Sequence, residues 1–147
     1  MEFATASSLL SFYSRLEDAI TRFYQTLATR DAFSQGQETF HTFAQESQKH
    51  KKMILRTYRE IVSDALETSF SFMGMKTENY NLDAELPPDI TYDAALAKAE
   101  AIEDLSSKFC MTAGQQSQSL LADIPQAFQR IAKRKMKRKQ ILQTLHE

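Results

Sequence analysis

The sequence predicts an all-α protein, a single four-helix bundle with a long crossover between helices 2 and 3. Three observations carry the prediction. Apolar residues recur at intervals of three and four in four separate windows, the period of a helix with one buried face. The 147 residues include only three Gly and three Pro, few enough for long unbroken helices. Two of the three connections are short and the middle one is long; short links join antiparallel neighbours, while a long link can cross a bundle or hang as a loose loop from an up-down one.

The first segment runs from about Ala4 to Arg30, with Leu9, Phe12, Tyr13, Leu16, Ala19, Ile20, Phe23, Tyr24 and Leu27 on one stripe. The second starts near Ser34, where "SQGQ" has capping-box spacing, and its stripe is Phe40, Phe43, Ala44, Ile54, Tyr58, Ile61, Val62 and Ala65. A connection of about residues 67–91 follows. Its Phe70, Phe72, Met73 and Met75 form a candidate contact surface or equally pack back over the bundle. The third helix begins after "PPDIT", with Thr91 as N-cap and Asp93 in the first turn, where an acid favours the helix dipole. Its stripe is Tyr92, Leu96, Ala99, Ile102, Phe109, Cys110 and Ala113. The fourth begins at "DIPQ", with Asp123 as cap and Pro125 in the tolerant first turn, and its stripe is Ile124, Phe128, Ile131, Leu142 and Leu145.

This length suits one domain over 1–147, built from helical hairpins at about 4–66 and 91–146. Cys110 is the only cysteine, so no internal disulfide forms and a reducing compartment is the default. No run of about 18 apolar residues suggests a membrane span, and "MEFATASSLL" lacks a basic leader region. A cytoplasmic protein is therefore expected. The net charge of −1 is unevenly spread: residues 124–147 hold seven Lys/Arg and one acid, while the remainder holds eleven and eighteen.

The two hairpins share a repeat. "RLEDAITRFY" (15–24) lies over "AIEDLSSKFC" (101–110) and matches Glu17/Glu103, Asp18/Asp104 and Phe23/Phe109. "FHTFAQESQKHKKMIL" (40–55) lies over "FQRIAKRKMKRKQILQ" (128–143) and matches Phe40/Phe128, Ala44/Ala132, Lys49/Lys137 and Lys51/Lys139. The offsets, 86 and 88, are nearly equal. Repeats of this kind set the organisation of a chain.

Each helix places polar residues at mid-height on its apolar stripe. On the fourth, at about 100° per residue, Lys135 and Arg138 flank Leu142 at the stripe's middle, Lys139 lies at its edge, and Lys133, Arg134 and Lys137 fall outside. Ser47 and His50 occupy stripe positions on the second helix, Glu103 on the third, and Glu17 the stripe's edge on the first. A buried charge must be paired or bound to metal, because leaving it alone costs several kcal/mol (order of magnitude).

With these residues the chain resembles the rubrerythrin branch of the ferritin-like superfamily. Glu17 before "FY" and Glu103 before "FC" match that family's single glutamates. "FAQESQKH" is similar to its Glu-x-x-His helix, with His50 at the histidine and Ser47 at the glutamate. "IAKRKMKR" aligns with the same motif, with Lys135 and Arg138 at the ligand positions. The resemblance implies a ferritin-like four-helix bundle, a homodimer, and a di-iron centre with oxygen or peroxide chemistry. Only Glu17, His50 and Glu103 of about six ligand positions are kept. Two cations stand where ligands belong, and they repel a divalent metal. The expectation is a degenerate site in which Lys135 and Arg138 pair with Glu103 and Glu17.

Three functions follow, in this order. The first is a non-catalytic scaffold or partner-binding protein without a cofactor. The second is an oxidoreductase whose Glu17, His50 and Glu103 hold iron, zinc or manganese. The third is a binder of nucleic acid or an acidic partner through Lys133, Arg134, Lys137 and Lys139, joined by Lys49, Lys51 and Lys52; the acidic remainder of the chain places it last. Against these stand plainer readings: snorkelling for Lys135 and Arg138, a core histidine for His50, chance for the i,i+4 spacing of Glu46 and His50, and a buried apolar role for Cys110. No Gly-rich phosphate loop, Ser-His-Asp set or Cys/His cluster is present.

Overall fold

A computed structural model describes residues 2–3, 6–61, 72–117 and 123–146. Four helices dominate it: α1 (Ala6–Thr29), α2 (Gln37–Ile61), α3 (Tyr92–Gln116) and α4 (Asp123–Thr144). Among the described residues no helix is long and apolar enough to cross a membrane.

The helices pack as two hairpins. In the first, side-chain contacts step backward along α2 as they step forward along α1: Asp18 meets Lys51, Thr21 meets Gln48 and Ala28 meets Gln37. In the second, Ser107 bonds the Ala132 carbonyl and Gly114 approaches Pro125. Ala95, Ala99, Ser106, Ser107, Cys110, Ala113 and Gly114 on the buried side of α3 are small, so α3 and α4 approach closely. The hairpins join through α2 against α4 and α1 against α3. Tyr13 stacks on Phe109 while Tyr24 reaches Glu103, so α1 and α3 run oppositely, and α2 and α3 share a direction.

Two helices that share a direction need a connection spanning their length. Residues 72–91 supply its described part and lie over the α1/α3 face. Tyr80 packs edge-on against Phe109, Asp83 pairs with Lys98, and Arg30 donates to the carbonyls of Leu86 and Pro87. A strand β2 (Phe72–Lys76) pairs antiparallel with β1 (Glu2–Phe3). Sequence periodicity gave no sign of it, because two and five residues are too few to establish alternation. Phe3 is buried against Phe12 and Phe109, and Met75 is fully buried. Met75 therefore packs back over the bundle, one of the two expectations for this connection; Phe70, like Val62 and Ala65 of the second stripe, lies outside the described residues, as do the side chains of Phe72 and Met73.

The caps divide. Thr91 Oγ1 accepts from the Ala94 N–H at 3.1 Å, as an N-cap should. The capping box at Ser34 does not form. Ser34 lies in a 3₁₀ turn (Asp31–Gly36), α2 starts at Gln37, and the Gln37 amide donates to the Ala28 carbonyl. That turn buries Phe33 under Arg30 and brings Gly36 against the Phe40 ring. A Cβ on Gly36 would lie 2.7 Å from Phe40 and 2.8 Å from the Tyr92 hydroxyl. Phe40 is fully buried and stacked on Tyr24, so it cannot swing aside. Gly36→Ala should lower stability in urea denaturation by about 1–3 kcal/mol, the range for overpacking.

Candidate functional site: a charged centre inside the bundle

Five polar positions singled out on the stripes are wholly buried: Glu17, Ser47, Glu103, Lys135 and Arg138. His50 joins them with a side chain 14% exposed. The structure brings all six together at mid-bundle. Full burial excludes snorkelling for Lys135 and Arg138, whose heads have no path to water.

The pairing is crossed relative to expectation. Lys135 Nζ sits 2.8 Å from Glu17 Oε1, and Arg138 Nη1 sits 3.5 Å from Glu103 Oε2. A lysine reaches one oxygen as a point charge, whereas the Arg138 fork spreads over several acceptors. It donates to Ser47 Oγ at 3.0 Å, to the Phe43 carbonyl at 3.1 Å and to Glu46 Oε1 at 3.2 Å. Its Cζ lies 4.9 Å above the Phe43 ring, a cation–π distance. Burial alone would favour loss of the Arg138 proton. Glu103, Tyr24, Glu17 and Glu46 together outweigh this and hold its pKa above the ordinary value.

Two tyrosines donate to the carboxylates, and the stripe analysis treated both only as core. Tyr13 donates to Glu17 Oε2 at 2.5 Å, and Tyr24 donates across the bundle to Glu103 Oε2. Burial, then the adjoining carboxylates, pushes both phenols well above their usual range, so both remain donors. The i,i+4 spacing of Tyr13 and Glu17 on one stripe was the available signal. The Tyr24–Glu103 contact needed the tertiary arrangement. Among the described residues, Glu103 Oε1 and His50 Nδ1 are buried without a hydrogen-bond partner.

Glu46 is the second omission. It is off the stripe but forms the outer wall of the centre. Arg134 grips it with two bonds, 3.0 and 2.8 Å, and Arg138 reaches it from inside. Burial raises the Glu46 pKa, but Arg134 and Arg138 more than offset this and hold it below the carboxylate norm. Arg134 is therefore half-buried and engaged, not a free member of the outer basic face. Lys139 and Lys51 are engaged too, with Asp104 at 3.3 Å and Asp18 at 2.8 Å. Lys133, Lys137, Lys49 and Lys52 are exposed.

Several contacts occur in pairs at positions that the sequence repeat aligns. Asp18–Lys51 in one hairpin answers Asp104–Lys139 in the other. Glu17–His50, at 3.9 Å, answers Glu103–Arg138.

His50 differs from its counterpart in charge. Burial first, then Arg138 and Lys135, lower its pKa to about 4 against the pull of Glu17. The centre therefore holds two cations against two carboxylates, with Arg134–Glu46 as a third pair and a neutral imidazole. Cys110 lies buried beside it, and burial raises its thiol pKa, which leaves an unreactive thiol. Among the described residues, no three His, Cys, Asp or Glu side chains converge in a way that could hold a metal ion.

No protein-family model, curated protein or solved structure matches the chain.

Lys135→Met should destabilise the fold by about 3–5 kcal/mol, because it strands the Glu17 charge in the core. Adding Glu17→Gln should recover most of that loss in urea denaturation. A pH dependence follows from His50. The unfolded chain takes up its proton near pH 6.5 and the folded chain only near 4. Between those values the unfolded state binds more protons, so stability is fully present above about 6.5 and falls toward 4. The decline should be on the order of 3 kcal/mol, read from denaturation midpoints against pH, and His50→Gln should flatten it.

Proposed function

We propose that the protein is a ferritin-like bundle of the rubrerythrin type in which an internal ion-pair network occupies the position of the di-iron centre, and that it serves a non-catalytic, structural or partner-binding role. The observation that carries the reading is Lys135 Nζ, 2.8 Å from Glu17 Oε1 at a position where the resemblance places a ligand carboxylate.

The residues present do not fit a di-iron centre. Such a centre draws four carboxylates and two imidazoles from four helices. Of the aligned positions only Glu17, His50 and Glu103 have suitable donors, and their atoms are largely engaged. Lys135 and Tyr13 take both oxygens of Glu17, while Tyr24 and Arg138 crowd one oxygen of Glu103. Two fixed cations also supply, inside the bundle, the positive charge that a metal would bring. The shared direction of α2 and α3, the passage of 72–91 along the α1/α3 face, and a glutamate at matching depth on α1 and α3 support the ferritin-like topology.

Elemental analysis of untagged protein, reconstituted with iron(II), zinc or manganese(II), tests the proposal. The expected content is well below one metal per chain. One or more tightly held ions per chain, lost in Glu17→Ala or Glu103→Ala, would overturn it and make oxygen or peroxide turnover the next assay.

A further inference from the structure

The bundle separates its charge. Helices α2 and α4, which pack side by side, carry twelve Lys/Arg and four acids. Helices α1 and α3 with residues 72–91 carry five Lys/Arg and ten acids. The acidity that made a polyanion partner look unfavourable from composition therefore belongs to the opposite side.

The cations on the α2/α4 side are ordered. Lys49, Lys52 and Arg56 on α2, and Arg130, Lys133 and Lys137 on α4, are exposed and follow the same i, i+3, i+7 spacing. Each set forms a stripe about 10 Å long at 1.5 Å per residue. Both stripes point away from the buried faces, which carry Phe43, Ser47 and Ile54 on α2 and Ile131, Lys135 and Leu142 on α4. None of the six makes an ion pair among the described residues. Of the four acids on these two helices, Glu46 is occupied by Arg134 and Arg138, Asp123 lies at the start of α4 beside Arg130, Glu38 lies in the first turn of α2, and Glu60 follows Arg56 by four residues. Along the α1 edge of this face runs a polar groove of about 580 Å³, lined by Gln25, His41, Gln45, Lys49 and Lys52 among others. Its amides and ammonium groups offer further donors to an anion.

We propose that this face binds the phosphate backbone of double-stranded nucleic acid without reading its sequence. A duplex carries one negative charge per about 1.7 Å of axis, or about six over the length of each stripe. Helices α2 and α4 run antiparallel, with Glu46 at Arg134 and Met53 and Thr57 beside Ala127 and Arg130, so the two stripes succeed one another along the flank and together follow roughly 20 Å of it. Among the described residues the face exposes no aromatic ring on which an unpaired base could stack. Among the described residues it has no large apolar wedge for a lipid surface either beyond Met136 on α4, which is 37% exposed. This inference gives the partner-binding role proposed above a partner class and rests on that role. It does not rest on the core: metal uptake would refute the ion-paired centre and leave the face intact.

Fluorescence anisotropy with two unrelated 30-base-pair duplexes tests it, alongside phosphatidylserine vesicles and a polyglutamate peptide. The two duplexes should bind equally at about 20 mM salt. With about four phosphates engaged, log affinity should fall against log salt with a slope of about −3.6, roughly a hundredfold loss between 50 and 200 mM. Lys133→Glu with Lys137→Glu should weaken binding at least about tenfold and reduce the slope by about 1.8, with the circular dichroism unchanged. Arg22→Glu on α1 makes a like kind of charge change off the face and should leave the slope alone. No binding at about 20 mM salt, an unchanged slope in the double variant, or tighter binding to the vesicles or the peptide than to the duplexes would each overturn the proposal.

Discussion

Charge neutrality in a dry core is the constraint on which the rest of this molecule depends. Glu17, Glu103, Lys135 and Arg138 are wholly buried, and a lone charge at any of these positions would be worth several kcal/mol against folding. The four helices must therefore meet in one register. A one-residue rotation of α4 would take Lys135 about 100° away from Glu17 and leave both groups without partners. Apolar stripes of this width tolerate such slips more readily. The ion pairs thus add little net stability over an apolar core of the same shape, and much selectivity among the ways in which four amphipathic helices can pack.

The asymmetry of the two hairpins follows from the same constraint. At the position matching Tyr24 the second hairpin has Cys110, too short to reach a carboxylate. Glu17 would then lack the phenol that Glu103 receives from Tyr24. Tyr13, one turn earlier on α1, takes that place. The residue aligned with Tyr13 is Ala99, fully buried on α3. A phenol and a small residue have in effect changed places, and each glutamate still accepts one hydroxyl. Ser47 and Lys135 also stand at aligned positions, and Arg138 on α4 uses the Ser47 hydroxyl as an acceptor.

The sequence made the elements legible and left the pairings obscure, for physical reasons. Stripe period located all four helices, because burial of one face imposes it directly. Thr91 was legible as a cap because its side chain acts on its own helix. Ser34 misled: its spacing suits a capping box, but Phe33 is drawn into the core and winds those residues into a 3₁₀ turn. Lys135 and Arg138 stood out because cations on an apolar stripe violate the pattern. Which carboxylate each would meet depended on helix rotation and side-chain reach, which no single-helix projection contains. Glu46 escaped because an off-stripe acid looks solvated until the neighbouring helix supplies Arg134.

The core also accounts for the outside. Lys51–Asp18, Lys135–Glu17, Arg138–Glu103 and Lys139–Asp104 all run from a base on α2 or α4 to an acid on α1 or α3. Once the buried cations are placed on α4, their buried partners must come from helices that face it, and α1 and α3 supply them. The surface pairs at the aligned positions repeat that polarity. Carboxylates thereby gather on α1 and α3, under the acidic residues of 72–91. The outward bases of α2 and α4 are left with few acids to answer them. A single electrical arrangement closes the centre of the bundle and leaves one flank positive.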